Sequence, residues 1–168
     1  VAAPARDILE LQNANAIYER LPELSPSKLK DFLKAHRILM KGLIPSAGRW
    51  RSGGVGIAQG DQIAHVAPPA DRVNGLMKDL LKFAGNKSVP ILVRSAVVHY
   101  EIEFVHPFDD GNGRAGRLWH TLLLFHYHPA FEFVPIESLI RERQQDYYKV
   151  LGACDRVGNS TAFVEFGA

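Results

Sequence analysis

Cysteine is nearly absent from this chain of 168 residues, with Cys154 the single example. That excludes an internal disulfide and leaves no cysteine cluster for zinc. Long apolar runs are absent as well: nothing approaches the roughly 18 apolar residues of a spanning helix, and no basic-then-apolar leader opens the chain. Neither sign of charge dominates. Lys and Arg number 20 against 18 Asp and Glu, a formal charge of +2. With no basic stripe and no recognition helix, neither a nucleic-acid nor a membrane partner is expected. What remains is ordinary for a soluble globular protein, 46% hydrophobic and 23% charged, and the length suits one domain over residues 1–168 with a real core. A reducing, cytoplasmic setting fits these absences. The missing initiator Met points to processing or to a fragment of a longer protein.

Against this plain background one stretch concentrates chemistry: His106-Pro107-Phe108-Asp109-Asp110-Gly111-Asn112-Gly113-Arg114, with Arg117 one turn on. An apolar run ends at Val105 and another begins at Leu118, so the polar cluster reads as a loop between two buried helices. Gly111 and Gly113 permit unusual backbone angles and let N–H groups converge on a ligand. A helix starting near Asn112 would aim its free N–H groups at the same place. Arg114 and Arg117 share a face of that first turn. Cations are unfavourable at a helix N-terminus unless a polyanion joins them, and phosphate suits arginine's paired donors. Asp110 would hold a divalent cation, most plausibly Mg²⁺ with several waters. His106 is the natural proton acceptor. Each residue alone has an ordinary reading as turn, cap or solvated charge. Together, in this order, they describe phosphoryl or nucleotidyl transfer to a hydroxyl.

The stretch resembles the signature of the Fic family, H-x-F-x-(D/E)-G-N-G-R-x-x-R. His106, Phe108, Asp110, Gly111, Asn112, Gly113, Arg114 and Arg117 meet every specified position. The Doc branch typically carries lysine where Gly113 stands. The resemblance implies transfer of AMP from ATP, with Mg²⁺, to a Tyr, Ser or Thr hydroxyl of a target protein, releasing pyrophosphate. It implies catalytic roles for His106, Asn112 and Arg114, with His106 as the base and Asn112 near the α-phosphate. Phe108 would anchor the loop. Gly111, Asn112, Gly113, Arg114 and Arg117 would hold the nucleotide, Arg117 mainly its γ-phosphate, and Asp110 the metal. Transfer of UMP, phosphate or phosphocholine stays open, as does a regulatory module that binds nucleotide without turnover.

The rest of the chain supplies helices. Ala5–Leu21 is expected as one, with Ile8, Leu11, Ala14 and Ile17 inward. Ser25-Pro26 reads as a cap and first position of the next, whose apolar face carries His36 as a hydrogen-bonded core residue. A loop from Leu43 to Gly53 leads to a weak hairpin signal: Val55-Gly56-Ile57, a Gly60-Asp61 turn, then Ile63 to Val66. It resembles the Fic flap, which follows an arginine-containing loop (here Arg51) and docks the target, so Val55, Gly56 and Ile57 are its expected contacts. Helices are further expected at Ala70–Phe83, Pro90–Val105, Gly113–Phe125 and, after Pro135, Ile136–Leu151. Asp155–Asn159 reads as a turn, and Ser160 as the cap of a last short helix. His99 reads as core, Glu103 as a support for the active loop. His120, His126 and His128 lack the spacing of a metal site. Tyr147, in a pattern that recurs in Fic proteins, is a candidate for the base-pocket wall.

The expected fold class is therefore all-α, a Fic-type helical domain with a small β-hairpin flap. Many Fic proteins also carry an inhibitory helix, (S/T)-x-x-x-E-(G/N), whose Glu pairs with the second signature arginine. Ser138…Glu142 has the spacing but is followed by Arg143 in a core helix. No segment is identified that neutralises Arg117, so the inhibitory element is expected on a missing N-terminal helix or an antitoxin partner, or not at all. A homodimer is an open alternative for assembly.

Overall fold

The computed structural model describes residues 4–59, 62–134 and 136–167, with backbone only for 56–59 and 62–65. Two helices form its axis, α4 (Ile91–Val105) and α5 (Asn112–Tyr127), packed along each other. Both bury more than one face, so layers lie on two sides of them. On one side α1 (Ala5–Tyr18), α2 (Leu29–Leu39) and α3 (Ala70–Ala84) close over Val98, Ile102, Leu118, Trp119 and Leu122. On the other, α7 (Gln144–Val157) and α8 (Thr161–Gly167) cover Ala96 and Tyr100 with Tyr147, Cys154 and Phe163. The short α6 (Ile136–Glu142) crosses beside α5. No helix among the described residues is long and apolar enough to cross a membrane.

Aromatic side chains carry the main core to the signature. The Trp119 ring is fully buried and its indole N–H donates to the Pro26 carbonyl at 2.9 Å. Phe32 meets it edge-on at 4.8 Å and stacks on Phe108 at 5.5 Å. Phe108 is fully buried and roots the loop between α4 and α5 in the core.

The expected fold class needs correction at the flap. The helical body is all-α, but Val55 lies outside any strand, and the extended residues form a short two-stranded ladder, β1 (Gly56–Gln59) with β2 (Gln62–Val66). Its antiparallel register slips between Ile57 and Ala58. Glycine at 53, 54 and 56 blunts the period-two signal that would have set these bounds. The expected turn at Gly60-Asp61, like Pro135, lies outside the described residues.

Several helix bounds also change, among them the end of α7, which runs to Val157 through the first part of the turn expected over Asp155–Asn159. α1 ends at Tyr18, and Leu21–Glu23 is a 3₁₀ turn. Ile8 and Leu11 are exposed, because steps of three residues drift round a helix and Ile17 lies about half a turn from Ile8. α2 starts at Leu29 rather than Pro26: the Asp31 carboxylate accepts the Ser25 N–H at 2.9 Å, so Ser25–Lys28 folds as a turn. The single helix expected over Ile136–Leu151 breaks at Arg143, whose guanidinium sits 4.4 Å over the Phe166 ring. The break turns Leu139 to solvent and lets α6 and α7 face different partners.

Asn13 fastens α1 to α2. Its amide donates to the Leu39 and Lys41 carbonyls at 3.1 and 2.8 Å, where the end of α2 leaves carbonyls without helical partners. Asn13→Ala leaves both short and is expected to cost about 1–3 kcal/mol in urea unfolding at unchanged m-value.

Candidate active site

The loop from His106 to Gly111 joins the C-terminal end of α4 to the N-terminal end of α5. His106 caps α4 at φ 48°, the one positive φ at a non-glycine residue among the described residues. Such a conformation costs about 1 kcal/mol or more and survives only where surroundings impose it. Arg51 imposes it. Nearly all its surface is buried, and its guanidinium donates to the His106 carbonyl at 2.7 Å, the Val105 carbonyl at 3.2 Å, the Gly53 carbonyl at 2.7 Å and the Pro68 carbonyl. Its own N–H donates to the Pro107 carbonyl at 3.0 Å. One cation thus satisfies the carbonyls at the negative end of α4.

Asn112 ties the loop across its neck. Its side-chain oxygen accepts the Phe108 N–H and its amide donates to the Phe108 carbonyl, both at 2.9 Å. Gly111, at φ 84°, precedes α5, and a Cβ there would lie 2.5 Å from Met40 Sδ. The glycine is required by both angle and space. Behind it, the His36 ring lies parallel to Phe108 at 3.4 Å and reaches the Asp110 carbonyl at 2.8 Å.

The charged side chains gather in front. Asp110 is half exposed, with Arg114 at 3.6 Å and Arg6 of α1 at 3.5 Å. Glu10, also of α1, stands 3.5 Å from Arg114. Arg117 donates to the Glu137 carboxylate of α6 at 2.7 Å. The sequence identified no segment that neutralises Arg117; in the structure Glu137 of α6 pairs with it. Arg114 Nη1 is buried without a hydrogen-bond partner. The positive end of α5 thus carries two arginines, each facing a carboxylate where an anion would fit.

Mg²⁺ fits these residues. Asp110 offers a single hard oxygen ligand beside a helix N-terminus suited to phosphate, and the described residues contain no cluster of three or more metal-ligating side chains. Mg²⁺ characteristically takes one or two carboxylates and fills the rest of its octahedron with water and phosphate oxygens.

Beneath the site runs a buried polar row. His99 Nδ1 meets His120 Nδ1 at 3.2 Å, and His99 Nε2 meets the Tyr147 hydroxyl at 3.2 Å. Tyr147, expected at a base-pocket wall, is buried here with its ring against Phe163. Glu103 Oε1 is buried 3.9 Å from His99 Nε2. Burial pushes the Glu103 carboxyl up to about 7, opposed by Arg117 and the Tyr147 hydroxyl. Burial pushes His36 and His120 down to about 4, and His99 well below its ordinary value.

His36, Arg51, Glu10 and Glu137 are the site residues that sequence reasoning did not assign. Arg51 was visible only as part of a loop pattern. Glu10 and Glu137 carry no local signal, since their relation to Arg114 and Arg117 is made by helix packing.

Opposite pH dependences follow. The buried histidines stay neutral when folded but take protons near 6.5 when unfolded, so stability falls as pH drops from 6.5 toward 4. Glu103 keeps its proton when folded up to about 7 but loses it near 4.5 when unfolded, so its contribution falls as pH rises through that window. Glu103→Gln should unfold at higher urea than the parent at pH 8, by on the order of 2 kcal/mol, and match it near pH 4.5. An unchanged difference between the two pH values would contradict a buried, proton-holding Glu103.

A model of the Fic/DOC family matches residues 26–124. The chain is 27% identical over its whole length to the protein adenylyltransferase Fic of Nematostella vectensis, covering 40% of that protein. It is 30% identical over 82% of its length to the protein adenylyltransferase Fic of Aedes aegypti, covering 26% of it. Among solved structures, a Fic family protein from Desulfovibrio desulfuricans G20 superposes with a TM-score of 0.93 at 51% identity, over 99% of this chain and 51% of that one. Fic-1 from C. elegans superposes at 0.77 with 25% identity, over 98% of this chain and 48% of that one. The chain thus spans between about a quarter and about half of the length of these relatives. With more than half its residues matched by the family model and the signature loop held between α4 and α5, the chain belongs to the Fic/DOC family.

Proposed function

We propose that this domain transfers AMP from ATP to a hydroxyl of a target protein. The observation that carries the reading is the juxtaposition at one loop of a histidine fixed at the end of α4 and a helix N-terminus bearing Arg114 and Arg117. Relatives similar in sequence are named protein adenylyltransferases.

His106 takes the proton from the target's Tyr, Ser or Thr hydroxyl. That oxygen attacks the α-phosphorus in line, a new P–O bond forms, and the bond to the bridging oxygen breaks so that pyrophosphate leaves with the electron pair. The amides at the start of α5 and the Arg114 guanidinium stabilise charge on the phosphate oxygens. Arg117 grips the terminal phosphate after exchanging Glu137 for it. Asn112, its amide spent on Phe108, acts by holding the amides in place. Asp110 would hold Mg²⁺, which when bound neutralises charge on the α- and β-phosphates. The target's main chain would dock along Val55 and the first residues of β1, Gly56 and Ile57, in the manner of an added strand.

Intact-protein and peptide mass spectrometry after incubation with ATP and Mg²⁺ in lysate tests the reading. One AMP added to a target by the parent, and none by His106→Ala, is the expected result. Transfer from UTP or another donor instead would keep the site and move the chemistry to another phosphate-containing group. ATP binding with no transfer from any donor would favour a binding module.

Arg117 gives a second check. Glu137→Ala removes the partner that phosphate must displace, so KM for ATP is expected to fall two- to fivefold, the order set by a partly exposed pair of about 0.5–1 kcal/mol, with kcat little changed. A KM that rises would show that Glu137 aids nucleotide binding.

A further inference from the structure

Outside the signature, one buried side chain has both its polar atoms committed to loops. His36 on α2 is 1% exposed. The Gly48 N–H donates to its Nδ1 at 2.9 Å, so Nδ1 is an acceptor and the ring proton sits on Nε2. Nε2–H therefore donates to the Asp110 carbonyl at 2.8 Å. The ring is further clamped by its parallel contact with Phe108.

The carbonyl it holds belongs to a rigid unit. The Asp110–Gly111 peptide is planar, so fixing the oxygen fixes the direction of the Gly111 N–H on its far side. That N–H donates to Asp110 Oδ1 at 2.6 Å. A continuous row results: Gly48 N–H, the His36 ring, the Asp110 carbonyl, the Gly111 N–H and the Asp110 carboxylate. The remaining fastenings hold other atoms of the loop. Arg51 holds His106 and Pro107, and Asn112 holds Phe108. Gly111 itself resists rotation of this peptide poorly, since glycine tolerates either sign of φ.

We propose that His36 is a positioning residue for the transfer reaction, aiming the Asp110 carboxylate through the Asp110–Gly111 peptide. The role rests on the proposed reading of the site as an ATP and Mg²⁺ site. It is the outer-shell support that metal-binding carboxylates commonly need.

Two substitutions separate this role from packing. In His36→Gln the side-chain amide reaches the place of Nε2 and keeps a donor for Asp110. In His36→Asn the amide lies at the place of Nδ1, keeps an acceptor for Gly48 and abandons Asp110. Both are made in a His106→Ala background, so that ATP binding is read without turnover, and both are checked by thermal unfolding. The Mg²⁺ concentration that half-saturates ATP binding, measured calorimetrically, is expected to rise about tenfold in the Asn variant and to stay within about threefold of the parent in the Gln variant. ATP affinity without Mg²⁺ should change less than twofold in either. Hydrogen exchange of the Gly111 amide should quicken in the Asn variant alone. Equal Mg²⁺ dependence and equal Gly111 exchange in both folded variants would overturn the proposal, as would losses that track melting temperature irrespective of Mg²⁺. If the parent binds no ATP, the adenylyl-transfer reading fails, and Gly111 exchange still decides whether His36 holds the loop.

Discussion

The carbonyls at the C-terminal end of α4 are the constraint on which the site depends. A helix that stops inside a protein leaves carbonyls without partners, and burying them unsatisfied is costly. Glycine in a left-handed conformation is the common solution; here the position is filled by His106, and the strain is borne elsewhere. Arg51 meets the carbonyls of Val105 and His106 with one guanidinium and Pro107 with its backbone N–H. Because Arg51 also binds Gly53 and Pro68, the segment around the β-ladder is tied to the place where His106 projects. The histidine's direction is thus a consequence of how a helix end is satisfied.

The other side of the loop obeys the opposite electrostatic rule. The start of α5 is a positive end that carries more positive charge, in Arg114 and Arg117, and none of the acidic residues a helix usually places in its first turn. The fold compensates with carboxylates from three directions: Asp110 within the loop, Glu10 from α1 and Glu137 from α6. These pairs are partly exposed and of modest strength, so phosphate can replace them. The site is held ready for an anion rather than locked around its own counter-ions.

Two cores make this arrangement rigid. The aromatic row Trp119, Phe32, Phe108 and His36 presses the loop from one side. The polar row His120, His99 and Tyr147, with Glu103 alongside, lies under the first turns of α5 on the other. Gly113 and Gly116 admit that second layer: a Cβ at Gly116 would meet His99 Cδ2 at 2.9 Å, and one at Gly113 would meet Glu103 Oε1 at 3.4 Å.

The signature residues and most helices were legible in the sequence because they are written locally. A glycine beside an asparagine, paired arginines at helical spacing and apolar runs of fixed period depend on neighbours a few residues away. The same locality explains the misread bounds at Ser25-Pro26 and Arg143, where Asp31 and Phe166 intervene from beyond the pattern. The sequence by itself determined that a histidine, an acidic residue and two arginines surround a helix start, and hence that the family's loop is present. Only the tertiary structure decided what holds that loop and what its charges face. Arg51, His36, Glu10 and Glu137 come from four separate segments, and no periodicity relates residues that meet only when helices pack.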